Sequence, residues 1–157
     1  MRKKKKNEGK KFEEDIKASF PKGCFVERYK DDTAGYKGVC NPADFRVYNH
    51  PFTFLIECKS IKGKSLPFAK VRMNQLKEML KATNYHGVYG GYLINFRELE
   101  ETYWVTGEDL YCFMITGERK SFPVLWVKET GIWIPQTKKR TRYRYDLSTI
   151  LLEGVLK

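Results

Sequence analysis

The sequence predicts an α/β fold, a mixed central sheet flanked by helices. Three observations carry this. Segments with helical spacing alternate with short strand-like runs in the order helix, strands, helix, strands. No internal repeat or low-complexity linker divides the chain. The 157 residues, 41% hydrophobic and 15% aromatic, suffice for one core and leave no room for a second full domain.

The elements follow in order. Residues 1–8 read as a flexible basic arm, because the consecutive cations Arg2 to Lys6 repel one another and bury nothing, which leaves 9–157 for the domain. Phe12, Ile16 and Phe20 recur at every fourth position and predict an amphipathic helix over 8–20, stopped by Pro21. Strands are expected at 24–29, 44–48 and 52–60, the last two joined as a tight hairpin through Asn49-His50-Pro51. A helix over 68–82 places Val71, Gln75 and Met79 on one stripe and Phe68, Arg72, Leu76 and Leu80 on the next. Strands at 88–96 and 102–106 follow, with Tyr89, Tyr92, Phe96, Tyr103 and Trp104 expected in the core. The C-terminal third reads as a short helix over 108–115, a loop over 116–121, a basic block over 138–144 and a last helix capped by Asp146.

Thirty Lys and Arg against nineteen Asp and Glu give a net charge of +11, which suits a protein lying against a polyanion. Nucleic acid is the first candidate, and a ribosomal or membrane-surface protein carries such charge as well. Cys24, Cys40, Cys58 and Cys112 form no CxxC pair and have only two histidines for company, so they are expected to be reduced core thiols and not a zinc site. No signal peptide and no run of ~20 apolar residues is present, and a cytoplasmic location without membrane contact is expected.

The triplet acid-x-Lys occurs four times, and context separates the copies. Glu8-Gly9-Lys10 and Asp15-Ile16-Lys17 lie in the polar first helix and Glu118-Arg119-Lys120 in a loop, whereas Glu57-Cys58-Lys59 interrupts the apolar run Phe52 to Ile56. Strand periodicity puts Thr53, Leu55, Glu57 and Lys59 on one face. With the turn centred on Asn49 and His50, Tyr48 pairs with Pro51 and Asp44 with Leu55, so Asp44 lies diagonally from Glu57, roughly 7 Å away at Cβ on the same face. Two carboxylates so placed repel unless a cation sits between them, and hard oxygen ligands suit Mg²⁺ or Mn²⁺. With Lys59 beside them the set is that of a metal-dependent phosphodiesterase. From spacing alone, the same residues also read as a strand start and an ordinary ion pair.

Beyond spacing, an ordered set of motifs resembles the RecU-type Holliday junction resolvases of the PD-(D/E)xK nuclease superfamily. The set is Asn41-Pro42-Ala43-Asp44-Phe45, Phe54-Leu55-Ile56-Glu57-Cys58-Lys59-Ser60, Lys64-Ser65-Leu66-Pro67-Phe68, Gln75 and Arg119-Lys120-Ser121-Phe122-Pro123, preceded by Gly9-Lys10-Lys11-Phe12-Glu13-Glu14-Asp15-Ile16. The resemblance implies a restriction-endonuclease-like fold, a homodimer, Mg²⁺, for which Mn²⁺ substitutes, and symmetric nicking of four-way DNA junctions in recombination and repair. By position it implies Asp44, Glu57 and Gln75 at the metal, Lys59 as transition-state stabiliser and Glu13 as an acidic residue of the first helix, with Glu14 an open alternative to Glu13. Recombination proteins are further expected partners, and the short chain leans toward a phage origin. Two departures stand out: Asn41-Pro42-Ala43 replaces a Ser or Thr stretch, and the segment 30–40, the counterpart of a stalk that enters the junction, is short, so weaker junction selectivity is expected.

Lys62, Lys64, Lys70 and Arg72 surround the end of the Glu57 strand and are candidate phosphate contacts, as are Lys138, Lys139 and Arg140 in the basic block. The latter block reads equally as a solvated surface strand. Two rival readings remain from sequence: a nuclease of the same fold acting on linear or branched duplex, and a non-catalytic basic nucleic-acid-binding protein.

Overall fold

The computed structural model describes residues 7–30 and 40–153. The cationic run 2–6 and nearly all of the stalk counterpart fall on 1–6 and 31–39, outside the described residues. The first helix, α1 (Glu8–Ser19), starts inside the expected arm because Asn7 caps it, its side chain accepting from Gly9 N at 3.0 Å. It stops where Phe20, preceding Pro21, turns extended.

A six-stranded sheet forms the centre. Its strands are β1 (Phe25–Arg28), β2 (Phe45–Asn49), β3 (Phe52–Ile61), β5 (Val88–Phe96), β6 (Glu101–Thr106) and β8 (Ile132–Ile134), in that spatial order. Only β3 and β5 run parallel, so the sheet is mixed as expected. The parallel step needs a crossover, which α2 (Met73–Thr83) supplies. On one face α2, α3 (Gly107–Thr116) and α4 (Val124–Thr130) cover Leu55, Ile61, Tyr92, Ile94 and Val105; on the other, α1 and the turn Thr149–Glu153 cover Phe54, Ile56, Cys58, Leu93 and Trp104. The aromatics expected inside are buried, except Tyr89, which is half-buried.

Four expectations change. The β2–β3 turn is His50-Pro51 and not Asn49-His50, so Asn49 pairs with Phe52 and Phe45 with Ile56. Pro51 has no N–H for a ladder bond and is better placed in the turn. The register thus moves by two residues, which preserves every side-chain face. The helix expected over 68–82 is broken. Phe68–Lys70 forms a 3-10 turn and α2 begins at Met73, because Phe68 N donates to Lys120 O and fixes the approach. The loop expected at 116–121 runs into β7 (Ser121–Pro123), which pairs with β4 (Ser65–Pro67), Leu66 opposite Phe122; two of the motifs quoted above meet there. Finally, Cys58 is buried, but Cys24 and Cys40 are half-buried and Cys112 is exposed on α3, so only Cys58 is a core thiol; all four are free.

The basic block forms a hairpin, β9 (Gln136–Lys139) and β10 (Arg142–Tyr145), held to α1 by Asp15, whose carboxylate accepts from Arg142 Nε at 2.7 Å and Tyr143 N at 3.2 Å. Asp146 accepts from Ser148 N and opens the final turn. Among the described residues no helix is long and apolar enough to cross a membrane.

Glycine is required where β5 meets its neighbours. A Cβ on Gly90 would lie 2.6 Å from Met79 Cγ, so Gly90 lets α2 settle onto β5; one on Gly91 would lie 2.5 Å from Val105 O and 2.8 Å from the Trp104 ring. Gly91→Ala should therefore destabilise by about 2 kcal/mol or more, lowering Tm by roughly 5–10 °C. Calorimetry showing an unchanged Tm would mean that β5 and β6 are not packed this closely.

Candidate active site

β3 is paired with β5 through Ile61 but with β2 only as far as Ile56. Past that point the chain entering β2 lies along the outer edge of β3. Asp44 N donates to Ile56 O at 3.1 Å, and Asp44 Oδ2 accepts from Cys58 N at 2.8 Å. Asp44 thus leaves the ladder beside Ile56, and its carboxylate, bonded to Cys58, lies within reach of the charge of Glu57. The N–H and C=O of a strand residue point the same way, so the Cys58 carbonyl also faces this edge.

Glu57 is 2% exposed. Its Oε1 is 3.1 Å from Lys59 Nζ, and its Oε2 accepts from Gln75 Nε2 at 3.0 Å. Lys59 and Glu57 sit two residues apart on one strand face. Gln75 arrives from the buried stripe of α2, one turn before Met79. Each carboxylate oxygen keeps a second lone pair after these contacts.

Burial and crowding dominate the electrostatics. The Asp44 carboxyl is pushed up to about 7, first by burial and then by the charge of Glu57, against the opposing Cys58 N–H. Glu57 is also raised, by burial first, while Lys59 and then Arg72 hold it down. Both feel the negative charge of Glu13. Two carboxyls that resist ionising together, with the buried, unpartnered oxygen of Gln75 beside them, form a set of hard oxygens suited to a divalent cation of the Mg²⁺ type. Among the described residues no group of three or more His, Cys, Asp or Glu forms a metal site, so the amide and main-chain oxygens would have to complete it.

Asp44, Glu57, Lys59 and Gln75 thus come together. The two candidates of α1 separate: Glu13 accepts from Arg28 at 2.9 Å on the side that acts on the carboxylate pair, whereas Glu14 is turned toward the hairpin and Arg142, at 2.8 Å. Arg72 caps α2 close enough to act on Glu57. Lys62, Lys64 and Lys70 are exposed beyond the end of β3, and Lys138, Lys139 and Arg140 are exposed at the hairpin tip. Sequence reasoning missed two features. One is a part-buried chain behind the site, in which Arg97 Nη1 donates to Ser60 Oγ, Ser60 to Asn95, Asn95 to Thr102 and Thr102 to Gln136. The other is Tyr92, opposite Glu57 on β5 and assigned only to the core; the β3–β5 register that reveals it has no signal in either strand alone.

Residues 29–146 match the family model RecU, Recombination protein U. The SPbeta prophage-derived protein YotM of Bacillus subtilis is 28% identical over 172 residues, covering 96% of this chain and 88% of that protein. The Holliday junction resolvase RecU of Streptococcus thermophilus is 30% identical over 129 residues, 78% of this chain and 60% of that resolvase, so the chain spans about three-fifths of its length. Among solved structures, the Archaeoglobus fulgidus Holliday junction resolvase Hjc superposes with a TM-score of 0.54 over 80% of this chain and 95% of that one, at 16% identity. That likeness establishes the restriction-endonuclease-like fold.

A raised carboxyl has a signed consequence for stability. The folded state holds the Asp44 proton more tightly than the unfolded chain, so Asp44 lowers stability progressively as pH rises from about 4 to about 7, and the full penalty persists above that. In EDTA at pH 8, Asp44→Asn should remove it while an amide oxygen still accepts from Cys58, raising Tm by roughly 3–8 °C, with little change at pH 4. A lower Tm at pH 8 would show that the ionised carboxylate stabilises the fold instead.

Proposed function

The chain belongs to the RecU family of recombination proteins, and on that premise we propose that it is a structure-selective DNA endonuclease that resolves four-way junctions by paired nicks. The observation that supports this best is the pair of half-buried Asp44 and buried Glu57, close enough for one charge to act on the other, with Lys59 3.1 Å from Glu57, on a chain of net charge +11. In this reading Asp44 and Glu57 hold a Mg²⁺ ion, which Mn²⁺ replaces, with the Gln75 amide oxygen completing the set. The ion supplies polarisation of the scissile phosphate and acidification of the attacking water. Lys59 orients that water and offsets the charge that develops on the phosphoryl oxygens. Gln75 holds Glu57 through its Nε2. Glu13 adds negative potential that strengthens cation binding.

DNA binding is assigned to different groups. Lys62, Lys64, Lys70 and Arg72 flank the exit of β3, and Lys138, Lys139 and Arg140 lie at the hairpin tip; all seven are exposed. Exposed cations contact phosphates and release counterions, so they hold DNA without reading its sequence. Two symmetry-related nicks require two such sites, which a C₂ homodimer provides.

Because binding and cleavage rest on different residues, they should separate. Glu57→Gln should lower nicking of a labelled four-way junction by at least about 10²-fold in Mg²⁺ while junction affinity in EDTA stays within about two-fold. Folded Glu57→Gln cutting at the wild-type rate would remove the site. Lys59→Ala should lose nicking to a similar extent, and because it removes a water-orienting cation and no ion ligand, excess Mn²⁺ should not restore it. Restoration by Mn²⁺ would reassign Lys59 to ion binding. Ion affinity should also fall by up to about ten-fold per pH unit below pH 7, since the ion displaces the Asp44 proton; a pH-independent affinity from pH 5 to 8 would exclude Asp44 as a ligand.

A further inference from the structure

Among the described residues, two buried side-chain polar atoms have no hydrogen-bond partner: Gln75 Oε1 and Tyr92 Oη. Both side chains are sealed, at 1% and 0% exposure. A buried polar atom left unpaired costs about 1–3 kcal/mol, so two of them at one place call for a ligand. Both adjoin Glu57, from different elements. Gln75 reaches it from α2 through the Nε2 to Oε2 hydrogen bond of 3.0 Å. Tyr92 is its register partner on β5, and side-by-side residues of neighbouring strands, ~4.8 Å apart, share a sheet face.

The two atoms are chemically complementary. Burial, followed by the charge of Glu57, pushes the Tyr92 phenol far above its ordinary value, so it keeps its proton and is available as a donor. Gln75 Oε1 only accepts. Arg72 and Asp44 also act on the phenol, which places it within the charged surroundings of the site and not in a remote part of the core.

We propose that Tyr92 is a positioning residue of this site: through one water its hydroxyl donates to one lone pair of Gln75 Oε1, leaving the other for the divalent ion, which fixes the amide whose Nε2 holds Glu57. The inference rests on the carboxylate-pair reading above. A locked amide cannot exchange its ends, so Glu57 always meets an N–H donor at Oε2 and keeps its free lone pairs directed to the ion. Without the Tyr92 hydroxyl the amide loses its second anchor and Glu57 loses its fixed orientation. Partners of metal ligands typically change metal affinity by roughly 10–100-fold.

The test measures Mn²⁺ affinity of the full-length protein by electron paramagnetic resonance, without DNA. Tyr92→Phe keeps the ring and should weaken Mn²⁺ binding roughly ten-fold while Tm stays within about 2 °C, because the deleted hydroxyl has no protein partner. Gln75→Ala should weaken it at least as much. The double variant should be no weaker than Gln75→Ala alone, to within about two-fold, since both remove one link. Wild-type affinity in Tyr92→Phe, full additivity in the double variant, or a Tm loss beyond about 5 °C in Tyr92→Phe would each overturn the proposal. Glu57→Gln serves as the control for the site. If it binds Mn²⁺ like wild type, the carboxylate-pair reading itself fails; if it loses binding while Tyr92→Phe does not, only the role of Tyr92 is lost.

Discussion

Asp44 and Glu57 point like charges at each other in a buried place, and the architecture is organised around holding them there. Burial raises both carboxyls, and the charge of Glu57 adds to the rise of Asp44, to about 7, so the arrangement opposes stability near neutral pH. The opposing contacts are few: Cys58 N–H on Asp44, and Lys59 and Gln75 on Glu57. The remainder must come from packing. Phe45, Phe54 and Ile56 on one face and Leu76, Tyr92 and Ile94 on the other are all within 1% of fully buried, and each such side chain contributes about 1.5–3 kcal/mol. A few of them offset the electrostatic cost, and the crowded pair lies where both faces of the sheet are packed.

The position of the pair follows from where pairing stops. β3 continues five residues beyond its last β2 partner, Ile56, while still bonded to β5. An edge that remained open would expose backbone groups, and here the incoming chain occupies it with Ala43 buried and Asp44 bonded to both Ile56 and Cys58. The same local geometry therefore closes a sheet edge and delivers a carboxylate within reach of the charge of Glu57. Gln75 comes to the pair from the other direction because α2 is the crossover between two parallel strands, and Gly90 allows it to lie close.

Much of this was legible in sequence because period-two and period-four patterns survive small errors. The β2–β3 register was misplaced, yet by two residues, and alternation returns the same faces after an even slip, so Asp44 and Glu57 still met. Gln75 and Met79 share a buried stripe of α2 as their spacing implied, whereas Val71, though buried, precedes the helix in extended backbone. What stayed hidden depends on contacts distant in the chain. Phe68 N is held by Lys120 O, and β4 pairs with β7 across more than fifty residues. The Tyr92–Glu57 partnership likewise needs a parallel register set by an intervening helix. The rotation of α1, undetermined from Glu13 and Glu14 alone, was set by Arg28 and Arg142 on two different elements.

Helix α1 connects the acidic site to the basic hairpin. On β9 and β10, Lys139 lies directly opposite Arg142, a like-charge pair that alone would destabilise the hairpin. Asp15, 3% exposed at its side chain, and Glu14 both bind Arg142, so its charge is neutralised beside the hairpin turn. Lys138 lies 6.0 Å from the Tyr143 ring centroid, an aromatic face that tolerates a cation. Arg142 is thereby used to anchor the hairpin, and the exposed Lys138, Lys139 and Arg140 are left to carry its charge outward. Successive acids of one helix thus have opposite uses: Glu13 adds negative potential at the carboxylate pair, while Glu14 and Asp15 cancel positive charge where the hairpin meets the body. At the hairpin, uncancelled positive charge is in this way left on exposed side chains that a polyanion can reach.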